Sequence, residues 1–180
     1  MAPQLLINEI AILAFAALLM AAAVEDVRRL IIPNRLPLAI VLLYPAYVLS
    51  APAGVDWSGA AVIAGAALGL GIVLFAYGFT GGGDVKLFAA ASLWAGPQFF
   101  PQLLLITGLV GAAIALGMLA HRRFVASRPA LTAAANGEPA GGGGAEIAQH
   151  PRRRRDMELP YGAAIAAGGG SVALTLLFGA

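Results

Sequence analysis

Cysteine is absent from this chain, and charged residues are scarce. Without cysteine there is no thiol nucleophile, no disulfide, no Cys-ligated zinc site and no iron–sulfur cluster. Only 11% of the 180 residues are charged, whereas 60% are hydrophobic. A soluble domain carries about a quarter charged residues. The composition therefore excludes an ordinary soluble domain and predicts a polytopic membrane protein.

Apolar runs define about six candidate membrane spans, because a bilayer core accommodates roughly 20 apolar residues of helix. These runs are 4–24, 36–51, 59–79, 87–97, 101–120 and 160–178. The fourth is short, so it is a half-span, a tilted segment or the first part of a helix that continues past Pro97. The first run has no positively charged residues before it, which favours a retained helix over a cleaved signal peptide. The predicted fold is an all-α bundle in a single membrane domain, 1–180.

The positive charges predict the orientation of these spans. Every lysine and arginine lies in one of three connecting stretches. These residues are Arg28, Arg29 and Arg35 in the first, Lys86 in the second, and Arg122, Arg123, Arg128, Arg152, Arg153, Arg154 and Arg155 in the third. By the positive-inside rule, all three stretches are cytoplasmic, and both termini lie on the outer side.

The third connecting stretch, 121–158, is rich in glycine, proline and alanine, which predicts a flexible loop. Its run of four arginines, Arg152 to Arg155, fits a topology anchor that contacts anionic lipid headgroups. Nucleic acid is not an expected partner, because no folded basic surface surrounds the run.

Two aspartates stand at the predicted cytoplasmic boundary, where an ionised side chain is costly and suggests function. Asp26 follows the first span and also fits a solvated carboxylate paired with Arg29 or a neighbour. Asp84 directly follows three glycines. The glycines fit a flexible turn with Asp84 at its solvent-exposed end, but a loop that serves only as a turn does not need three glycines directly before an acid. Glu9 lies at the opposite face.

Two carboxylates at one membrane face can share a proton, since like charges about 3 Å apart do not both ionise easily. One then activates a water and the other protonates a carbonyl oxygen or a leaving amine, which is aspartic peptidase chemistry. No metal or other cofactor is expected, because HExxH is absent and His121 and His150 lie in the predicted loop. A non-enzymatic membrane scaffold, with the acids paired to arginines, and a small proton-relaying transporter are the alternatives.

Three separated segments carry a more specific pattern. They are DVRRLIIPN from Asp26 to Asn34, GGGDVKLFAAASLWAG from Gly81 to Gly96 and LPYGAAIAAGG from Leu159 to Gly169. Together they resemble the type IV prepilin peptidases, membrane aspartic peptidases of the GxGD type. One GxGD alone is a weak signal, whereas the ordered set on a six-span topology is specific.

The resemblance implies that Asp26 and Asp84 are the catalytic pair. It further implies roles in substrate binding or loop geometry for Gly81, Gly83, Lys86, Pro33, Asn34, Pro160, Tyr161 and Gly162. The implied substrates are prepilin-like precursors, whose short basic leader is cleaved at the cytoplasmic face of the bacterial inner membrane. Lys86 then serves as an anchor or steers the substrate, and anchoring is favoured.

Longer members of that family resemble bifunctional enzymes, with paired cysteines in a cytoplasmic domain and a second, N-methyltransferase activity. This chain has no cysteine. It resembles the short, peptidase-only branch associated with tight-adherence (Flp) pili, so methyl transfer is not expected.

Overall fold

The structure is a computed structural model that describes residues 3–52, 54–135 and 161–178. This part of the chain contains five helices and no strand. The helices are α1 (Pro3–Arg29), α2 (Arg35–Ser50), α3 (Trp57–Ala76), α4 (Gly82–Ala135) and α5 (Tyr161–Phe178). Four stretches, α1, α3, α5 and Gly82–His121 of α4, are long and apolar enough to cross a membrane, and α2 is apolar but shorter. The predicted class, a polytopic all-α membrane protein, is confirmed.

The fourth and fifth predicted spans are two parts of α4. α4 consists of two helical segments that meet at a break at Gly96, with φ 56° and ψ −174°, and the crossing of the membrane by the short run stays a prediction. Pro97 has no N–H to donate and disfavours helical geometry in the preceding residue. Glycine adopts a positive φ without steric cost, so the break falls on Gly96.

The predicted loop at 121–158 is partly helical, because α4 continues to Ala135. Residues 121–135 contain five alanines and three arginines, which are strong helix formers and favour continuation of the helix despite Pro129. Residues 136–160 lie outside the described part of the chain, and so do the lipid contacts predicted for Arg152 to Arg155 and the role predicted for Pro160.

One compact unit contains α1 to α3, α4 up to Gly111, and α5. The C-terminal part of α4, from Ala112, belongs to a second unit. All the contacts and cavities described below lie within the first unit. The prediction of a single domain over 1–180 stays a prediction.

An aromatic cluster fixes α1, α2 and α4 to one another. The Phe15 ring stacks on Trp94 with centroids 4.3 Å apart, and Tyr47 stacks on Trp94 at 5.1 Å. The Trp94 indole N–H donates to the Ile40 carbonyl at 3.0 Å, so this buried polar group is satisfied. The cluster holds in place the helices that carry the two aspartates.

Asp56 caps the start of α3. Its Oδ1 accepts hydrogen bonds from the Gly59 N–H at 2.9 Å and from the Ser58 hydroxyl at 2.8 Å. These donors, the Gly59 N–H first, hold the pKa of this exposed carboxyl below its usual value, because they favour the charged form. The cap satisfies a backbone donor that the first turn of the helix would otherwise leave free.

Candidate active site

Asp26 lies in the last turn of α1, which extends beyond the predicted end of the first span. The side chain is only 5% exposed, and its Oδ2 accepts a hydrogen bond from the Gly162 N–H at 2.7 Å. Arg29 pairs instead with Glu25, at 3.2 Å. The alternative of a solvated Asp26 paired with Arg29 is therefore wrong: the helix continues, and its last turn directs this carboxylate inward.

The close approach of α5 to Asp26 depends on glycine at position 162. A Cβ atom there would lie 2.8 Å from Oδ2 and 2.9 Å from Cβ and Cγ of Asp26. Only a residue without a side chain allows the first turn of α5 to reach the carboxylate. Because Gly162 is the second residue of α5, the helix also directs the positive end of its dipole towards Asp26.

Asp84 lies in the first turn of α4, directly after Gly82 and Gly83, the first two residues of the helix. The side chain is half-buried, and its Oδ1 is buried with no hydrogen-bond partner among the described residues. Such an atom costs about 1–3 kcal/mol unless something else satisfies it. Asp84 is therefore better suited to bind a ligand or a proton than to stabilise the fold.

The two aspartates line one cavity of about 210 Å³, here termed the aspartate cavity. The end of α1 and the turn after it form one wall, and the start of α4 with its glycines forms the other. The lining residues are Asp26, Leu30, Ile31, Ile32, Gly81, Gly82, Gly83 and Asp84. Two residues far apart in the sequence thus face one space large enough for several water molecules.

Gly83 brings the two walls together. A Cβ atom at this position would lie 3.0 Å from the Cβ and 3.3 Å from the carbonyl oxygen of Ile32. The backbone that approaches Gly83 is that of Ile32. The approach places the start of α4 beside the turn that follows Asp26.

A second contact joins the same two segments. The Lys86 ammonium donates a hydrogen bond to the Asn34 side-chain oxygen at 2.9 Å, and both residues are exposed. Asn34 precedes α2 but does not cap it through its side chain, so its oxygen is available to Lys86. Pro33 contributes its carbonyl oxygen, which accepts from the Leu36 N–H at 3.1 Å. The Lys86–Asn34 hydrogen bond links the first turns of α4 to the segment that precedes α2.

Leu30 has an unusual backbone conformation that sequence reasoning missed. Its φ is 55°, in the left-handed region, and its N–H donates to the Asp26 carbonyl at 2.7 Å. This conformation ends α1, at a cost of roughly 1–2 kcal/mol for a residue other than glycine. Strained residues of this kind cluster at functional sites, and Leu30 lines the aspartate cavity.

Tyr161 does not line the aspartate cavity. It lies on a second cavity, which also includes Asp84 in its lining. Glu9 is exposed near the start of α1, on the order of 25 Å along the helix from Asp26. The described residues contain no group of three or more His, Asp or Glu side chains arranged to hold a metal.

Comparison with known proteins identifies the class to which this arrangement belongs. Residues 13–116 match the model of the type IV leader peptidase family, a range that includes both aspartates. The chain belongs to this family.

One curated relative is the prepilin leader peptidase/N-methyltransferase of Bacillus subtilis (strain 168). It is 30% identical over 125 residues, which cover 66% of this chain and 50% of the relative. The chain therefore spans about half the length of this relative. No solved structure gives a significant match.

Proposed function

We propose that this protein is a membrane aspartic endopeptidase that removes the leader peptide of prepilin-like precursors. The observation that carries the proposal is the aspartate cavity, in which Asp26 and Asp84 face one space at the junction of α1 and α4. Membership of the type IV leader peptidase family and the printed activity of the Bacillus relative support the substrate class.

The hydrogen bonds suggest a division of roles between the two carboxyl groups. Asp26 already accepts the Gly162 N–H, which favours its ionised form, so we assign it as the general base. Asp84 has an oxygen without a donor among the described residues, and we assign it the shared proton. Together they make an acid–base pair that needs no nucleophilic side chain.

In the proposed reaction, a water between the carboxyl groups loses a proton to Asp26 as its oxygen attacks the scissile carbonyl carbon. Asp84 donates its proton to the carbonyl oxygen, which gives a neutral tetrahedral diol. When the C–N bond breaks, the leaving amine takes the proton from Asp26, and a diol hydroxyl returns one to Asp84. Both carboxyl groups end in their starting states, and one water is consumed.

The positions of the charges support cleavage at the cytoplasmic face of the inner membrane. Arg28 and Arg29 follow Asp26, and Lys86 follows Asp84, so the positive-inside rule favours that face for both aspartates. The absence of cysteine is consistent with the peptidase-only, tight-adherence branch.

The test is cleavage of a prepilin-like precursor by the purified protein in proteoliposomes. Asp26→Asn and Asp84→Asn should each lower the rate by about 10²–10⁴-fold, the usual contribution of a general acid or base. Glu25→Gln is the matched control: it removes the neighbouring carboxylate, which pairs with Arg29 and does not line the cavity.

Wild-type cleavage by both Asn variants would refute the two-aspartate mechanism. If the wild-type protein leaves every precursor intact, the alternative of a non-enzymatic scaffold is favoured. Thermal unfolding of each variant in detergent separates loss of catalysis from loss of fold.

A further inference from the structure

A third cavity, here termed the tyrosine cavity, lies towards the end of the bundle away from the two aspartates. Its volume is about 110 Å³, which gives room for several water molecules or one small organic group. Gly96, the break in α4, lies on it, about 18 Å along the helix from Asp84. The orientation predicted from the positive charges assigns this end of the bundle to the outer side of the membrane. The tyrosine cavity is thus separate from the candidate active site.

A hydroxyl group without a partner marks this cavity as a candidate binding site. Tyr44 lines the cavity and is only 7% exposed. Its hydroxyl oxygen is buried and has no hydrogen-bond partner among the described residues. Buried tyrosine hydroxyls usually find a partner, because an unsatisfied polar group is costly in the interior. A ligand that supplies a hydrogen-bond acceptor would satisfy Tyr44.

One acidic side chain, Asp56, also lines the cavity, and it favours a cation over an anion. The two hydrogen bonds described above for its side chain both go to Oδ1, so Oδ2 is available to a ligand. Gly54 and Asp56 are exposed, and a ligand can therefore reach this wall from the surface. Mg²⁺ and Ca²⁺ fit poorly, because they require several oxygen ligands and Asp56 is the only carboxylate among the described lining residues.

Aromatic rings form much of the remaining wall, and they favour an organic cation. Tyr44, Tyr47, Trp94 and Phe99 all line the cavity. Aromatic residues at a membrane interface commonly face lipid, whereas Tyr44, Tyr47 and Trp94 are buried against one another. The faces of such rings carry negative partial charge, and groups of aromatic side chains recognise ammonium ligands. A packed aromatic wall beside a carboxylate fits an ammonium group.

We propose that the tyrosine cavity binds a primary ammonium group with a neighbouring oxygen atom, as in ethanolamine. The ammonium donates to Asp56 Oδ2 and lies against the aromatic rings, and the neighbouring oxygen accepts the Tyr44 O–H. This arrangement satisfies the buried hydroxyl and balances the charge of the carboxylate. Free ethanolamine and the headgroup of an ethanolamine phospholipid both carry this group. The inference does not depend on the proposed peptidase activity.

The test is a titration of the full-length protein in detergent with ethanolamine, followed by tryptophan fluorescence. The chain has two tryptophans, and Trp57→Phe leaves only Trp94, which lines the cavity. We expect a saturable change whose midpoint rises as salt is added, because salt screens the attraction to the exposed Asp56 carboxylate. Choline has the same charge but no N–H donor, so it should bind about two- to tenfold more weakly, the effect of one hydrogen bond.

Variants made in the Trp57→Phe background separate this site from binding elsewhere. Tyr44→Phe removes the hydroxyl and should lower the affinity for ethanolamine by about two- to tenfold. Asp56→Asn keeps a side chain that can cap α3 and should remove most of the salt dependence. Tyr77→Phe is the matched control, because it removes an exposed tyrosine hydroxyl that does not line the cavity, and its affinity should equal that of the parent.

Proteoliposomes distinguish the two sources of the ammonium group. If the free amine is the ligand, ethanolamine changes the Trp94 fluorescence in bilayers of phosphatidylcholine. If the lipid headgroup is the ligand, the change follows replacement of phosphatidylcholine by phosphatidylethanolamine, and Tyr44→Phe weakens it. Either result supports the proposal.

Three results would overturn the proposal. They are no saturable response to ethanolamine or to phosphatidylethanolamine, equal affinity for choline and ethanolamine, and wild-type binding by both Tyr44→Phe and Asp56→Asn. The first is expected if only water occupies the cavity. The comparison of ethanolamine with choline uses no variant of the site, so it decides the question even if a variant fails to fold. None of these results bears on precursor cleavage, which tests the proposed function separately.

Discussion

Replacement of Gly162 by alanine tests how α5 contributes to the site. The added methyl group would lie 2.8–2.9 Å from three atoms of Asp26, well inside normal contact distance. Either α5 moves away and loses the 2.7 Å hydrogen bond, or Asp26 leaves its place in the cavity. In both cases the carboxylate and its donor separate.

The size of this effect follows from three contributions. Overpacking costs about 1–3 kcal/mol. Loss of a hydrogen bond to a charged group costs about 1.5–3 kcal/mol, and alanine returns about 1 kcal/mol through its higher helix propensity. We expect Gly162→Ala to destabilise the protein by about 1.5–5 kcal/mol, and cleavage to fall by about 10²-fold if Asp26 moves by 1 Å.

The assay is the midpoint of thermal unfolding in detergent together with the initial rate of precursor cleavage. Gly170→Ala is the control: it lies in the same helix, but a Cβ atom there would meet nothing within 4 Å. It should be neutral or stabilise slightly. Wild-type stability and wild-type cleavage in Gly162→Ala would refute the reasoning, because the crowding around Asp26 would then have no consequence.

Three further predictions concern the segments around the site. Gly83→Val should lower the cleavage rate more than Gly82→Val, whose Cβ atom would meet nothing nearer than 3.4 Å, and equal rates would contradict this reasoning. Lys86→Met should lower the cleavage rate less than about tenfold, because the hydrogen bond that it removes is exposed and weak. In an Asn34→Ala background, Lys86→Met should cause no further loss, since the partner is already gone. Additive losses would show that the two residues act separately. The lowered pKa of Asp56 implies that the ionised cap stabilises α3 at pH values above the unfolded-state pKa of about 3.9, and that this stability is lost as pH falls through the lower folded-state pKa. On acidification, the midpoint of thermal unfolding should therefore fall less in Asp56→Asn than in the wild type. An equal fall in both proteins would contradict the role of the cap.

The sequence predicted the helical class, which is confirmed, and it singled out two aspartates that line one cavity, because both features depend on strong local signals. Long apolar runs define membrane helices, and an acid after three glycines is conspicuous in such a chain. The end of α1 was harder to predict. Glu25, Asp26, Arg28 and Arg29 signal a polar boundary, although the backbone stays helical to Arg29 and buries one of the four.

The contacts that complete the site were not predictable in detail. The resemblance suggested a role for Gly162, but the hydrogen bond to Asp26 depends on how α5 packs against α1. Nothing in the sequence distinguishes Leu30 as the residue with positive φ, since leucine rarely adopts it. Thr107 lies in an apolar run with no neighbouring motif, and only the packing of the helices places it on a cavity with Asp84.

The hydrogen bond from Gly162 to Asp26 joins residues that are 136 positions apart. Asp26 belongs to the first described helix to leave the ribosome, and Gly162 to the last. During synthesis the Asp26 carboxylate therefore lacks this donor until α5, the last described helix, has been made. If the proposed activity is right, a chain truncated before α5 carries both aspartates but lacks this hydrogen bond, and it should not cut precursors.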